Sequence, residues 1–553
     1  MKTIHLPLLA MLSLAIISCG KDDITVIETP EGSSSATETQ LDSITFARTV
    51  TVTYNGTTAT VDGTGDQVTH TVSGAGVTIT NSGSENVKYI LTGTATNGYF
   101  KLYGKKQQAI CLNGVNLTNT AGAAINVQNG TTYLVIEGTN TLADGSTYTA
   151  TPTDEDEKAA LFSEDQLILQ GNGSLTVNAT GKSAIASDDY LHFTGSPNIT
   201  AKSTAGHGVK ANDYIVISSG TLDITATASM KKGISTDGYL TIEGGTTTIA
   251  VSGNAAYDSD DATYSGAAGI KADGDINIAA GTLTITSTGT GGKGISTDAN
   301  LYIAGGTLSV SATGSNYGNS GGGHGPGGGG SSSNSVSSKG IKADGNISIT
   351  GGDITVSSKN HEAIEAKGTF DISSGVLYAT SQSDDAINAG SHLTVSGGYV
   401  MGYSTGNDGI DANGNLYIKG GFTYAISTKG NPEVAIDANT EGGYKLYVQG
   451  GVLVAVGGLE RGSSLSQPCY QASSYSSSTT YGLTVGSDSY AFKTPSGGSS
   501  MVVSGGSTMP TLVKSPSVSG GTSHFGGMLT ANATISGGTS VGLNSYSGGG
   551  YGH

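Results

Sequence analysis

The sequence predicts an all-β protein, a parallel β-helix with three strands per coil and β-rich capping ends. Three observations predict it: a recurring phrase, the strand period within the phrase, and the composition. The phrase reads G-I-S-T-D-G-Y-L-T-I-E-G-G from Gly233, G-I-K-A-D-G-D-I-N-I from Gly269, G-I-K-A-D-G-N-I-S-I-T-G-G from Gly340 and G-I-D-A-N-G-N-L-Y-I-K-G-G from Gly409. Marked by its first isoleucine or valine, it recurs at Ile185, Val209, Ile234, Ile270, Ile295, Ile341, Ile364, Ile387 and Ile410, at separations of 24, 25, 36, 25, 46, 23, 23 and 23 residues. Self-similarity at such a period is the signature of a stacked solenoid.

Within the copy at Gly340, apolar residues alternate in three short runs, Ile341–Ala343, Ile347–Ile349 and Ile354–Val356, each a strand with one buried face. Asp344-Gly345 and Gly351-Gly352 separate the runs and supply residues that accept the positive φ of a sharp corner. No window has an apolar 3.6 period, which excludes helical and leucine-rich repeats. The composition agrees: 88 glycines in 553 residues, no tryptophan and only 12% charged residues. One coil buries its inward residues only against its neighbours. A stack of some 12 to 15 coils at the inter-strand spacing predicts a rod on the order of 60–70 Å long.

Lys2, the apolar stretch from Leu6 to Ile17 and Ile16-Ile17-Ser18-Cys19 read as a lipoprotein signal over residues 1–19, with Cys19 the lipidated residue. The stretch is too short to span a bilayer as a mature helix. Gly20-Lys21-Asp22-Asp23 resembles the tag that sends some Gram-negative lipoproteins to the outer face of the outer membrane, and residues 20–45 read as a tether. The β-helix is expected over residues 46–470, interrupted by insertions at 254–266 and 313–338. A β-rich cap or extension is expected over 471–553. Cys111 and Cys469 are too far apart on this plan to pair, and Cys111 reads as a small buried hydrophobe.

Function must come from outward residues that align between coils. Two before and one after the markers stand Glu362 and Glu365, then Asp385 and Asn388, then Asp408 and Asp411, with His361, Asp384 and Asn407 beside them and Asp437 in the next copy. Like charges stacked about 4.8 Å apart repel, so successive carboxylates call for a cation. Several oxygen ligands on short side chains suit Ca²⁺ rather than Zn²⁺. The other reading is a hydrated acidic edge with raised carboxyl pKa values, or one partnered by Lys359 and Lys367.

Earlier copies place His207, Lys232, Lys293 and Lys339 two before the marker and Lys210, Lys271 and Lys342 one after. Asp188, Asn212, Asp237, Asp273, Asp298 and Asp344 lie three after, a column expected to be structural and to share charge with the lysines. A basic strip for an anionic polymer is the lesser reading of those lysines. Tyr190, Tyr214 and Tyr239, five after successive markers, form either a sugar-binding platform or a stabilising tyrosine ladder.

The Cys19 lipobox, the leader segment Gly114-Val115-Asn116-Leu117-Thr118-Asn119 and above all the repeated phrase resemble the carbohydrate-binding β-helix family, over residues 50–470. Its fold is a right-handed parallel β-helix similar to polysaccharide lyase family nine. The resemblance implies binding of cellulose and polygalacturonate, bound calcium and no demonstrated lyase chemistry. The family's calcium residues map onto Asp384, Asp385, Asn388, Asp408 and Asp411. The glycine-rich insertion and the terminal extension depart from the pattern.

The expected function is therefore calcium-dependent, non-catalytic binding of a cell-wall polysaccharide by a monomeric, lipid-anchored surface protein that takes no nucleic acid. With a net charge of −18, a polyuronate approaches only through a bridging cation. Two alternatives stand beside it. A polysaccharide lyase would use Ca²⁺ with Lys367 or Lys359 as base, and a surface adhesin or spacer would bind no glycan.

Overall fold

The computed structural model describes residues 40–149, 155–260, 262–318 and 334–548. The lipobox, most of the tether and the glycine run at 321–330 lie outside the described residues. Residues 1–45 and 46–553 are two compact units. The described part of the first holds a 3-10 turn at Leu41–Ser43.

Residues 46–553 are all-β, with no α-helix among the described residues. Each copy of the phrase contributes three strands. The marker strands form a 14-stranded sheet, and the second and third strands belong to a 32-stranded sheet. Pairing within the repeats is parallel and in register: Ile364 lies on Ile387 and Ile387 on Ile410, Leu393 on Leu416, and Val376 on Tyr399. Strands alternate buried with exposed residues, as Asp353–Ser358 does. The inward columns, such as Ile295, Ile341, Ile364, Ile387 and Ile410, fuse into one continuous core.

The glycine before the marker has a packing cause. A Cβ on Gly233, Gly269 or Gly340 would lie 2.3, 2.3 and 2.5 Å from a branch methyl of Ile249, Ile285 and Val356, respectively. The register then carries Val356 onto Ala379 and Gly402. Where the third strand shrinks, the glycine becomes Ala363 and then Ala386, so volume is conserved across the core.

Corner chemistry differs from expectation at one position. The left-handed residue in each copy is the glycine that closes the second corner, Gly352 (φ 91°), Gly398 (76°) and Gly421 (69°) as the second of a Gly-Gly pair and Gly375 (88°) after Ser374. Gly345 has no positive φ; a Cβ there would lie 2.5 Å from Asn300 Oδ1 and 2.8 Å from the Ala299 carbonyl. The Asp-Gly corner needs glycine for close approach of neighbouring copies rather than for backbone handedness.

The insertion at 254–266 carries an antiparallel hairpin, Ala256–Asp258 with Thr263–Ser265. Near the end of the stack the chain turns antiparallel: Met501–Gly505 pairs with Val452–Val456. A six-stranded sheet including Thr480–Val485 and Asp488–Lys493 follows. Tyr481, Leu483 and Phe492 pack with Met401, Phe422 and Tyr424, residues of the third strands. The outward positions of those strands are Thr or Ser in earlier copies, Thr282-x-Thr284 and Thr307-x-Ser309, and become Val376-x-Tyr378 and Tyr399-x-Met401. Residues 471–548 thus bury an apolar patch made by the late repeats. Cys111 and Cys469 are buried free thiols.

The core complementarity yields a test. Gly269→Ala forces a methyl into Ile285 and is expected to destabilise by about 1–3 kcal/mol in urea denaturation. Gly269→Ala combined with Ile285→Ala is expected to fall short of the sum of the single effects by at least about 0.5 kcal/mol. Strict additivity would contradict the proposed contact.

Candidate functional site

The site grows from the stacking register. Lys342 lies on Glu365, Glu365 on Asn388 and Asn388 on Asp411. Bridges from Ile410 to Ile436 and from Ile436 to Leu459 carry the column on to Asp437 and Glu460. The residues two before the markers align as well, since the Ala363 N–H donates to the Asp385 carbonyl and the Ala386 N–H to the Asp408 carbonyl (3.2 and 3.1 Å). One buried serine per copy pins the turn before the acidic pair. Ser381 Oγ donates to the His361 carbonyl (2.9 Å), Ser404 Oγ to that of Asp384 (2.6 Å) and Ser427 Oγ to that of Asn407 (2.7 Å). The positions of the carboxylates are therefore set by backbone pairing and repeated in each copy.

The acidic edge divides into two parts. In the upper part, the buried Lys339 ammonium lies between Glu362 Oε2 (3.1 Å) and Glu365 Oε2, and Glu365 also pairs with Lys367. His361 Nδ1 meets Glu362 and Asp384 Oδ2, the latter at 3.0 Å. Burial pulls His361 down, but its hydrogen bonds to the acceptors Asp384 and Glu362 outweigh it and push it up to about 9. Burial likewise opposes ionisation of Glu362 and Glu365, yet Lys339 holds both below the usual carboxylate range. One ligand atom each from His361, Glu362 and Asp384 fall within 4.8 Å of one another. Lys339 and His361 thus place positive charge against the carboxylates of this group.

In the lower part the compensation stops. Asp385 and Asp408 are buried, and neither forms an ion pair among the described residues. Asp385 Oδ1 accepts from the Asp408 N–H (3.0 Å) and Oδ2 from Asn388 Nδ2 (3.0 Å). Asp408 Oδ1 accepts from the Val434 N–H (2.5 Å), so the same arrangement repeats one copy on. Asn388 Nδ2 also donates to Asp411 Oδ2 (2.9 Å) and thereby ties two carboxylates together. Burial pushes Asp385 well above the usual carboxylate range, and Asp411, Asp384 and Asp408 add to the push. Burial, opposed by the Val434 N–H and reinforced by Asp411, Glu433 and Glu460, brings Asp408 up to about 8. Burial and a hydrogen bond with Glu460 bring Asp437 up to about 9. A set of buried carboxylate and amide oxygens with too little positive charge fits a hard oxygen-loving cation.

The other predicted positions fall into place around this edge. Lys271 pairs with Asp273 (2.8 Å) and Asp298 (2.7 Å), Lys342 with Asp344 (2.6 Å), and Lys210 with Asp237 (3.6 Å). Burial, aided by neighbouring lysines, lowers Lys232 to about 8 and Lys293 to about 7. The basic strip is thus neutralised along much of its length. Lys359 is exposed, and Lys367 is engaged by Glu365. Tyr190, Tyr214 and Tyr239 stack at 4.7 Å centroid spacing with interplanar angles of 9° and 6°. Both faces of Tyr214 are therefore covered by its neighbours, and a sugar would meet ring edges except at the two ends. The counter-ion Lys339 stood in the sequence directly before Glu362 in the same column, a visible signal of its role.

A family described as carbohydrate-binding domain-containing protein matches residues 73–270 and 207–386. A carbohydrate-binding domain-containing protein of Acetivibrio thermocellus is 35% identical over 97 residues, 16% of this chain, and this chain spans only 34% of that relative's length. The solved structure of the polysaccharide lyase-like protein from C. thermocellum, a gadolinium derivative, aligns at 26% identity over 42% of this chain and 93% of its own. The TM-score of that alignment is 0.34. The two family matches together run over more than half of the sequence, and the chain belongs to the carbohydrate-binding domain-containing family.

Proposed function

We propose that this chain is a right-handed parallel β-helix that binds an anionic cell-wall polysaccharide, such as polygalacturonate, through Ca²⁺, without catalysis, on the outer membrane of a bacterium to which Cys19 anchors it. The observation that carries the proposal is the buried carboxyls of Asp385 and Asp408, which form no ion pair among the described residues and are pushed up by burial, next to an upper segment where Lys339 and His361 bring positive charge. Family membership supports the carbohydrate partner. Two features favour calcium over the lysines as the bridge to a uronate: Lys210, Lys271 and Lys342 are engaged by aspartates, and Lys232 and Lys293 are lowered toward neutrality. Within this site Asp385, Asp408 and Asp411 hold the cation, and the Asn388 amide sets their spacing. The bound cation joins protein carboxylate to glycan carboxylate and so cancels the long-range repulsion of a chain with net charge −18.

Binding of polygalacturonate, followed by calorimetry, is expected in millimolar calcium and to be lost in excess chelator. The double substitution Asp385→Asn and Asp411→Asn is expected to weaken it by at least about tenfold, or 1.4 kcal/mol. Full retention in chelator would overturn the calcium bridge. Unsaturated product accumulating with time, and abolished by Lys367→Ala, would instead assign β-elimination.

The pH dependence of the calcium-free protein follows from the same groups. Asp408, Asp437 and His361 are all raised in the folded state, to about 8, 9 and 9. Their stabilisation is fully present below their unfolded values, about 3.9 for Asp and 6.5 for His, and is lost as pH rises through the folded values. Glu362 and Glu365 are lowered, so their contribution is lost on acidification. Tm in chelator is expected to be highest near about pH 4, where the unfolded aspartates begin to ionise, and to fall from there towards pH 9, with calcium restoring the alkaline limb. A Tm that rises from pH 6 to 9 without calcium would contradict these assignments.

A further inference from the structure

The lysines on the marker strands are not equivalent. Two before the marker, Lys232, Ala268, Lys293 and Lys339 stack in that order. One after it, Lys271, Ser296, Lys342 and Glu365 do the same. A lysine in the first column reaches both columns of the following copy, and Lys339 meets Glu362 and Glu365 there. For Lys293 the same two positions of the following copy hold Lys339 and Lys342. Where Lys339 finds two carboxylates, Lys293 finds two ammonium groups.

The other lysines of the two columns have partners. Lys210, Lys271 and Lys342 pair with aspartates, and Lys339 with glutamates. Lys232 Nζ donates to the Met230 carbonyl (2.6 Å) and to Ser265 Oγ (3.2 Å). Lys293 Nζ forms no hydrogen bond or ion pair among the described residues. Its stacking neighbour on the preceding copy is the small Ala268, and Ser296 is the outward residue of its own copy. The side chain is half-buried and its amine is not sealed from solvent, so a small molecule can reach it. Burial lowers Lys293 to about 7, and Lys342, Lys339 and Lys232 add to this against the lone opposing charge of Glu365. A large share of the amine is therefore uncharged at neutral pH, with its lone pair free.

We propose that Lys293 is a carboxylation site, where the unpartnered amine takes up carbon dioxide as a carbamate. The nitrogen lone pair attacks the carbon of carbon dioxide, and the N–C bond forms as one C=O π pair moves onto oxygen. The nitrogen then gives a proton to water. No oxidant, reductant or metal is consumed. The product is a planar anion on a long side chain, directed at Lys339 and Lys342. It gives this copy the alternation of cation and anion that Lys339 has with Glu362 and Glu365. Lysines held as ammonium by an aspartate or glutamate have no free lone pair, which makes Lys293 the selected residue of the two columns. The inference depends on neither the glycan nor the calcium reading.

The test is carbon-13 NMR of the full chain equilibrated with carbon-13 bicarbonate at about pH 8, above the folded value of the amine. A carbamate resonance is expected, lost in Lys293→Met and kept in Lys359→Met, an exposed lysine outside the two columns. Trapping the carbamate as its ester with a trialkyloxonium salt, followed by peptide mapping, locates the group in the wild-type chain and needs no variant to fold. Label on the peptide that contains Lys293 is the expected result. No carbamate in saturating bicarbonate, a resonance that survives in Lys293→Met, or a label carried by a different lysine overturns the site.

Discussion

Parallel stacking in register is the constraint on which the rest of this structure depends. Each side chain finds its counterpart from the next copy at about the inter-strand spacing of 4.8 Å, so a choice made at one position is multiplied along the column. Isoleucine and threonine columns gain from this, and charged columns do not. The charged columns here are resolved in different ways. Lys271 bridges Asp273 and Asp298 on successive copies, and Lys339 is buried between Glu362 and Glu365. Around Asp385, Asp408 and Asp437 no comparable lysine intervenes among the described residues, and burial with repulsion from neighbouring carboxylates drives the carboxyls up.

The same constraint decides what the sequence made legible. The marker isoleucines, the three strands per copy and the alignment of Glu365, Asn388 and Asp411 follow from counting, because stacked copies of equal length keep their register. Side-chain reach does not follow from counting. The column shows Lys339 next to Glu362, but that its long side chain serves both carboxylates of the following copy emerges only in three dimensions. The glycines were half legible. Gly352 and its equivalents do take the left-handed corner, whereas Gly345 is required by the backbone of the copy beneath it.

The C-terminal segment was the least legible, since it lacks the phrase and its strands are antiparallel. Its docking place was nonetheless written in the repeats, where threonines at Thr282, Thr284 and Thr307 give way to Val376, Tyr378, Tyr399 and Met401. An outward apolar patch on a sheet demands a cover, and Tyr481 and Phe492 provide it. The cleft lined by Tyr378, His524 and Phe525 lies where that cover ends, and neither the repeats nor the terminal segment alone contains it.

Two surfaces of unlike chemistry therefore share one core: an acidic edge beside the marker strands and a hydroxyl face on the third strands. Because the acidic edge extends along the direction of stacking, a polymer laid on it meets several equivalent rungs at once. Weak contacts with single sugars then add through effective concentration rather than through any one deep pocket. This accounts for a carbohydrate-binding protein whose described cavities are small. In the proposed reading the recognition element is the repeat itself, because each column of the copy offers a polymer the same group at every rung.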